Sequence, residues 1–234
     1  MLHWKDSQPW SARFDDRYFS ADSGIDETRH VFLQGNRLAE RFAALRGGQV
    51  FRIGETGFGT GLNFLCTWQL FEQRAPDAAA LEFFSVEAFP LEADALRAAL
   101  ALWPELQSPA RPLCSAWPGS APGRHRLRFG RVQLQLDVAD VAVALPYWPA
   151  RSIDAWFLDG FTPAKNPAMW SDAVLAEVAR TSRPDASVAT YTSAGWVRRG
   201  LQRAGFQVQR VPGFGRKRQM LVGCAADPPT YGLP

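Results

Sequence analysis

The sequence predicts an α/β fold: an open, mostly parallel sheet wound by helices on both sides, with a helical flank ahead of it and an antiparallel hairpin at its C-terminal end. Three observations carry that reading. From residue 50 onward short apolar runs alternate with longer amphipathic stretches, the pattern of a parallel sheet with crossover helices. The first run leads straight into GETGFGTGLNFL, a stretch with four glycines in eight positions. The last two runs are separated only by a turn around Pro212-Gly213-Phe214-Gly215, and two strands joined without a helix pair antiparallel. The 234 residues suffice for one large domain with a substantial core. It is divided here into a flank or lid (1–48), the sheet with its helices (49–226), and a tail or linker start (227–234).

In chain order, residues 26–45 read as one or two short helices. Asp26 or Thr28 would cap them, Val31, Leu33, Leu38, Phe42 and Leu45 supply apolar positions, and Gly35 interrupts them. A strand over 50–54 and a helix over 60–72 follow, then a strand over 81–87 and a helix over 91–102. Ser115–Gly123, rich in Pro and Gly, reads as a long surface loop. A third strand over 132–138 ends in a turn or short helix at 139–145. The pairs 153–159 with 171–182 and 186–191 with 194–204 complete the alternation, and strands over 206–211 and 219–224 form the hairpin. This layout is similar to that of class I, Rossmann-like methyltransferases, more than to dehydrogenases.

Composition excludes several classes. With 47% hydrophobic and 21% charged residues the chain is an ordinary globular one, rich in aromatics. It has no uninterrupted apolar run of about 18 residues, and its start, MLHWKDSQPW, lacks the apolar segment of a signal peptide. No membrane association is expected, and the cytoplasm is the expected compartment. Cys66, Cys114 and Cys224 stand far apart with no C-x-x-C pair, and His3, His30 and His125 are scattered. Reduced thiols in or near the core are expected, and no metal site. Charge is uneven: residues 180–218 carry nine basic side chains against one acid, Asp185, although the whole chain is only +3. Such a segment suits a polyanionic partner or a solvated face.

A strand that ends in a glycine-rich turn and opens a helix suits a nucleotide, because bare glycines let a ligand approach the backbone. A P-loop would need Lys after its last glycine, but Thr60 follows Gly59; the dinucleotide fingerprint would need Gly where Leu62 stands. The spacing is instead Gly57-x-Gly59-x-Gly61, preceded by Glu55. An acid there repels phosphate and suits the ammonium of an amino-acid head. Glu87 ends the second strand, where a carboxylate can take both ribose hydroxyls, and Asp140 follows the third, placed for the exocyclic amine of adenine. Three acids at three successive strand ends point to S-adenosylmethionine. Asn63, at the helix start, either contacts that cofactor or caps the helix.

The fourth strand stops at Asp159, in the sequence WFLDGFTPAKNPAMW. Ligands of open α/β sheets lie outside the carboxyl ends of the strands, so Asp159 is expected in the cofactor's crevice. An amine must be unprotonated to attack a methyl group and gains positive charge as it does. A carboxylate that accepts its N–H bonds orients it, stabilises that charge and takes or relays the proton. Phe161 can stack on a planar base, face a developing cation, or simply pack in the core.

With these motifs placed, the chain resembles the methyltransferase domain of the bacterial MnmC family over nearly its full length. FDDRYFS, ETRHVFLQGNRLAERF, SVEAFPL, YTSAGWVRRGLQRAGF and GFGRKRQML stand in family order. The resemblance implies methyl transfer from S-adenosylmethionine to the aminomethyl nitrogen of 5-aminomethyl-2-thiouridine at the wobble position of tRNA. It makes Asp159 the catalytic acid of a D-G-F motif. It places Glu55, Gly57, Gly59, Gly61, Glu87 and Asp140 at the cofactor. Two departures stand out: DVADV leaves Asp137 a rival to Asp140, and Gly54 stands where many relatives have Ala. In many family members a FAD-dependent oxidoreductase, fused to this domain, supplies the amine; no second glycine fingerprint for it occurs here. The basic segment then gains a partner, the anticodon region of tRNA. Arg198, Arg199, Arg216, Lys217 and Arg218 are expected to face it, with Lys165 and Asn166 nearer the anticodon pocket. Two other readings remain: an N-methyltransferase of a small-molecule amine, and a non-catalytic RNA-binding module.

Overall fold

The computed structural model of the chain describes residues 2–5, 8–19 and 24–226; the expected tail or linker, 227–234, lies outside them. Three short strands come first, β1 (Leu2–Lys5), β2 (Gln8–Ser11) and β3 (Asp16–Arg17), paired antiparallel in that order. They were not anticipated, because strands this short leave no readable alternation. The helical flank follows as α1 (Gly24–Thr28), a π-helical segment (Arg29–Gln34) and α2 (Leu38–Ala43). Its break comes at Arg37, whose left-handed φ of 53° interrupts the helical path.

From residue 50 the chain alternates as expected, with α5 and β6 added: β4 (Val50–Thr56), α3 (Leu62–Arg74), β5 (Ala80–Glu87), α4 (Ala93–Leu100), α5 (Gln107–Ala116), β6 (Gly123–Phe129) and β7 (Val132–Val138). It continues with α6 (Val141–Ala144), β8 (Ile153–Leu158), α7 (Asp172–Thr181), β9 (Ser182–Thr190), α8 (Gly195–Arg203), β10 (Phe206–Pro212) and β11 (Gln219–Ala225). Eight strands make one sheet in the order β10–β11–β9–β8–β4–β5–β7–β6. The five central ones, β9, β8, β4, β5 and β7, are parallel, while β11 and β6 each run against their neighbours.

Two elements differ from expectation. Helix α5 contains Pro109 and Pro112, which argue against a helix; Pro109 falls in the first turn, and Ala110 and Leu113 bury an apolar face. Strand β6 carries Arg124, Arg126 and Arg128 at every second position, which hid its alternation. Gly130, with φ 61°, supplies the left-handed residue that the two-residue β6–β7 turn needs. The hairpin β10–β11 is present, with β11 inserted between β9 and β10.

Apolar side chains fill both faces of the sheet. One layer gathers Phe42, Phe64, Phe83, Phe157 and Leu113 beneath the flank, α3 and α5; the other gathers Trp148, Trp156, Leu175, Val178 and Leu201 under α6, α7 and α8. Gly54 belongs to the second layer: a Cβ there would lie 2.8 Å from the Trp156 ring. Of the thiols, Cys66 is buried and pushed up to about 12 by desolvation, whereas Cys224, on β11, is exposed and not in the core.

Candidate active site

Strand β4 pairs with β5 on one side and β8 on the other, so the winding direction reverses at its end. That reversal opens a crevice, and a cavity lies there. Its wall includes Gly57, Gly59, Glu87, Asp159 and residues of the flank. The three turn glycines are required as glycines, because Gly57, Gly59 and Gly61 have φ of 82°, 55° and 74°. At Gly57 a Cβ would also press within 3.2 Å of Gly160 Cα, so the glycine turn and the D-G-F turn pass each other backbone to backbone.

Asp159 is partly buried and fixed at both oxygens. Gly160 N donates to Oδ1 at 2.8 Å and Asn63 Nδ2 to Oδ2 at 2.7 Å. Burial pushes its carboxyl up to about 6, against the pull of those two bonds. Asn63 also donates to Glu55 Oε1 at 3.0 Å and accepts from Thr28 Oγ1 at 2.8 Å. One amide therefore ties Asp159 to the flank and to the buried carboxyl of Glu55, which further accepts from Ser85 Oγ at 2.6 Å. Thr28 spends its hydroxyl on this bond and does not cap a helix.

Glu55 differs in placement from a cofactor contact. It is fully buried and absent from the cavity wall, and desolvation raises its carboxyl well above the usual range. It reaches the cavity through Asn63. Glu87 does line the cavity, accepting from Gly59 N at 2.9 Å and Phe89 N at 2.8 Å. Burial raises its carboxyl despite those backbone bonds. Asp140 is exposed at the end of β7 and accepts from Ala142 N at 2.8 Å as the cap of α6, outside the cavity wall. Its rival Asp137 is buried, with its carboxylate taken by Arg124 at 2.7 Å and Trp148 Nε1 at 2.6 Å.

The N-terminal strands roof the D-G-F turn. Phe161 stacks on Phe14 at 4.5 Å and meets Tyr18 edge-on at 5.4 Å. Asp16 accepts from Thr162 N at 2.9 Å and from its hydroxyl at 2.7 Å, and Lys165 donates to the carbonyl of Asp15. Lys165 thus fastens the roof, while Asn166 stands on the cavity wall. Below the turn, Tyr191 OH donates to Gly160 O at 2.9 Å.

The basic segment divides. Arg180, Arg183 and Arg203 pair with Glu177, Asp154 and Asp172. Lys217 turns inward to line the cavity and pairs with Glu27 at 2.8 Å. Arg199, Arg216 and Arg218 are exposed without an ion pair among the described residues, and Arg198 is partly buried with Nε unpartnered.

Residues 104–226, just over half of the chain, match the profile of a family described as S-adenosyl-L-methionine-dependent methyltransferase. The chain belongs to this family. It is 61% identical over 232 residues to the tRNA 5-methylaminomethyl-2-thiouridine biosynthesis bifunctional protein MnmC of Pseudomonas paraeruginosa, covering 98% of this chain and 35% of that protein. With its namesake from Nitrosospira multiformis it shares 56% over 235 residues, 100% of this chain and 38% of the relative. The methyltransferase thus spans about a third of the length of these curated relatives. The crystal structure of MNMC2 from Aquifex aeolicus superposes with a TM-score of 0.80 at 21% identity, over 100% of this chain and 72% of that one, so the two share a fold.

Several residues of the methyltransferase's cavity escaped the sequence reading. Phe14, Asp16 and Tyr18 come from FDDRYFS, whose aromatic and acidic spacing carried a signal without a partner to give it meaning. Glu27, Thr28 and Tyr191 meet partners far along the chain, Lys217, Asn63 and Gly160, which lie 190, 35 and 31 residues away. Glu55 was legible: it shares the β4 face of Phe51 and Ile53, both buried, so period-2 alternation places it in the core.

Proposed function

We propose that this methyltransferase methylates the aminomethyl nitrogen of 5-aminomethyl-2-thiouridine at position 34 of tRNA, giving 5-methylaminomethyl-2-thiouridine. The observation that carries the reading is Asp159, a carboxylate fixed at the floor of the crevice with an aromatic residue two positions on. It stands in a chain whose relatives, 56–61% identical over its length, are named for that biosynthesis.

The residues present fit S-adenosylmethionine. Gly57 and Gly59 keep side chains out of the turn, Glu87 offers a carboxylate beside them for the ribose, and the turn carries no basic side chain to receive phosphate. Asp140 keeps an oxygen for adenine, whereas Asp137 is spent on Arg124 and Trp148. When bound, the cofactor supplies an electrophilic methyl group. Asp159 then acts on the acceptor. Each of its oxygens has one bond to protein and a lone pair left over, so it can accept N–H from the amine, orient the nitrogen and hold the proton it sheds. With its carboxyl near 6 it is ionised at neutral pH yet more basic than an ordinary aspartate. Phe161 and Phe14 give the base an aromatic surface, and the roof of β1–β3 limits water. Arg198, Arg199, Arg216 and Arg218 supply phosphate contacts. A FAD-dependent oxidoreductase, fused or separate, generates the amine, and the reaction belongs to the cytoplasm.

The test is mass spectrometry of nucleosides after incubating the protein with S-adenosylmethionine and tRNA bearing the aminomethyl group. A gain of one methyl at that nucleoside, at a rate falling with salt, is expected; no gain overturns the reading. Equal, salt-independent rates on the free nucleoside identify a small-molecule N-methyltransferase instead. Absence of cofactor binding by calorimetry leaves an RNA-binding module.

A further inference from the structure

The ion pair of Glu27 and Lys217 has no part in the reaction as derived so far. Both side chains line the cavity, one from α1 and the other from the turn between β10 and β11, 190 residues apart. Lys217 Nζ donates to Glu27 Oε1 at 2.8 Å and sits 4.1 Å above the Tyr191 ring, whose hydroxyl bonds the residue next to Asp159. The charges of both residues are felt at the Asp159 carboxyl, one raising and one lowering it. An ion pair drawn out of water loses in desolvation much of what it gains in attraction, so stability is a weak reason for one on a cavity wall. The pair leaves Glu27 Oε2 without a hydrogen bond among the described residues, and the Lys217 ammonium has hydrogens beyond the one given to Glu27. A donor and an acceptor thus stand side by side on the cavity wall that also carries Asp159.

We propose that Lys217 and Glu27 read the imide edge of the target uracil, Lys217 donating to O4 and Glu27 accepting N3–H. The inference rests on the function proposed above. O4 is carried by the ring carbon next to the one that bears the aminomethyl arm, and N3 follows it, so a base whose amine lies at Asp159 turns this edge toward neighbouring groups of the wall. Cytosine presents the reverse pattern, an amino group toward Lys217 and a bare nitrogen toward Glu27, and is rejected at both contacts. Lys217 therefore belongs to base selection, and the exposed arginines to the phosphates.

The experiment compares two synthetic anticodon stem–loops, one carrying 5-aminomethyluridine at the target position and one its N3-methyl derivative. Their phosphates are identical, so backbone contacts cancel. The wild type is expected to lose roughly 10- to 100-fold in kcat/KM on the N3-methyl RNA. Glu27→Ala is expected to lose a similar factor on the parent RNA and to show little further loss on the derivative. Lys217→Met, should Glu27→Ala not fold, lowers kcat/KM on the parent while leaving the dependence on salt unchanged; a phosphate contact would reduce that slope by about one. Calorimetric binding of S-adenosylmethionine checks that each variant is folded. Equal wild-type rates on the two RNAs, full discrimination retained by Glu27→Ala, or a reduced salt slope in Lys217→Met overturns the inference while the reaction stands. A cofactor-binding wild type that methylates neither RNA overturns the proposed reaction and this inference with it.

Discussion

Asp159→Ala should reveal the cost of keeping a charge at the cavity floor. The Asp159 carboxyl is raised from 3.8 to about 6, with burial as the main cause, so ionisation is harder in the folded chain than in the unfolded one. A folded value above the unfolded one means that the folded state holds the proton more tightly between those pH values. The stabilisation is fully present below 3.8 and is lost as pH rises through about 6. The two-unit difference corresponds to about 3 kcal/mol, of which about 2 kcal/mol develops between pH 4.5 and 8. Water in the cavity screens the charge, so about 1–2 kcal/mol is expected in practice. Removing the carboxylate also removes the bonds from Gly160 N and Asn63, but that loss is largely common to both ends of the pH range. The assay is urea unfolding of wild type and variant across this range. The stability of Asp159→Ala relative to wild type should rise by about 1–2 kcal/mol from pH 4.5 to 8, while turnover falls by at least roughly a hundredfold. A difference that stays flat or shrinks with rising pH refutes the reasoning.

Three further outcomes follow from the same geometry. In the wild type the acid limb of kcat/KM should fall near pH 6, and Asn63→Ala, which deletes a bond that favours the ionised Asp159, should move that limb upward; a stationary limb would detach Asn63 from Asp159. Glu87→Ala should weaken calorimetric binding of S-adenosylmethionine by roughly tenfold or more, and an unchanged Kd would take Glu87 out of the cofactor site. Gly54→Ala puts a methyl group 2.8 Å from the Trp156 ring, so a loss of about 1–3 kcal/mol is expected in urea unfolding; a variant as stable as wild type would show that the ring moves aside freely.

The parts of the fold that obey a period were legible in the sequence. Strands β4, β5, β7, β8 and β9 read as apolar runs, and the glycine turn and Asp159 fell at their ends because an open sheet leaves only that rim for a ligand. The missed parts lack a period or contradict a propensity: β1–β3 are too short, α5 carries two prolines, and β6 is hidden by alternate arginines. In the site, residue type was readable while direction was not. Asp140 and Asp137 both end a strand, yet one caps a helix and the other is locked by Arg124 and Trp148. Lys217 counted as surface charge in the sequence, but the turn that carries it folds over the cavity, where Glu27 draws it inward. Charge summed along a segment cannot tell an outward side chain from an inward one.

Strand β11 lies against β9 with its direction reversed, Leu221 opposite Thr190 and Cys224 opposite Ser187. Its beginning therefore stands at the reactive rim and its end at the far one, where Ala226 N bonds Gly205 O at 2.9 Å. For immobilisation or labelling, the two ends of the described chain are unequal. A reporter joined after residue 226 hangs from the rim remote from Asp159. One joined ahead of β1 is anchored on the small sheet whose third strand, through Asp16, is tied to the D-G-F turn.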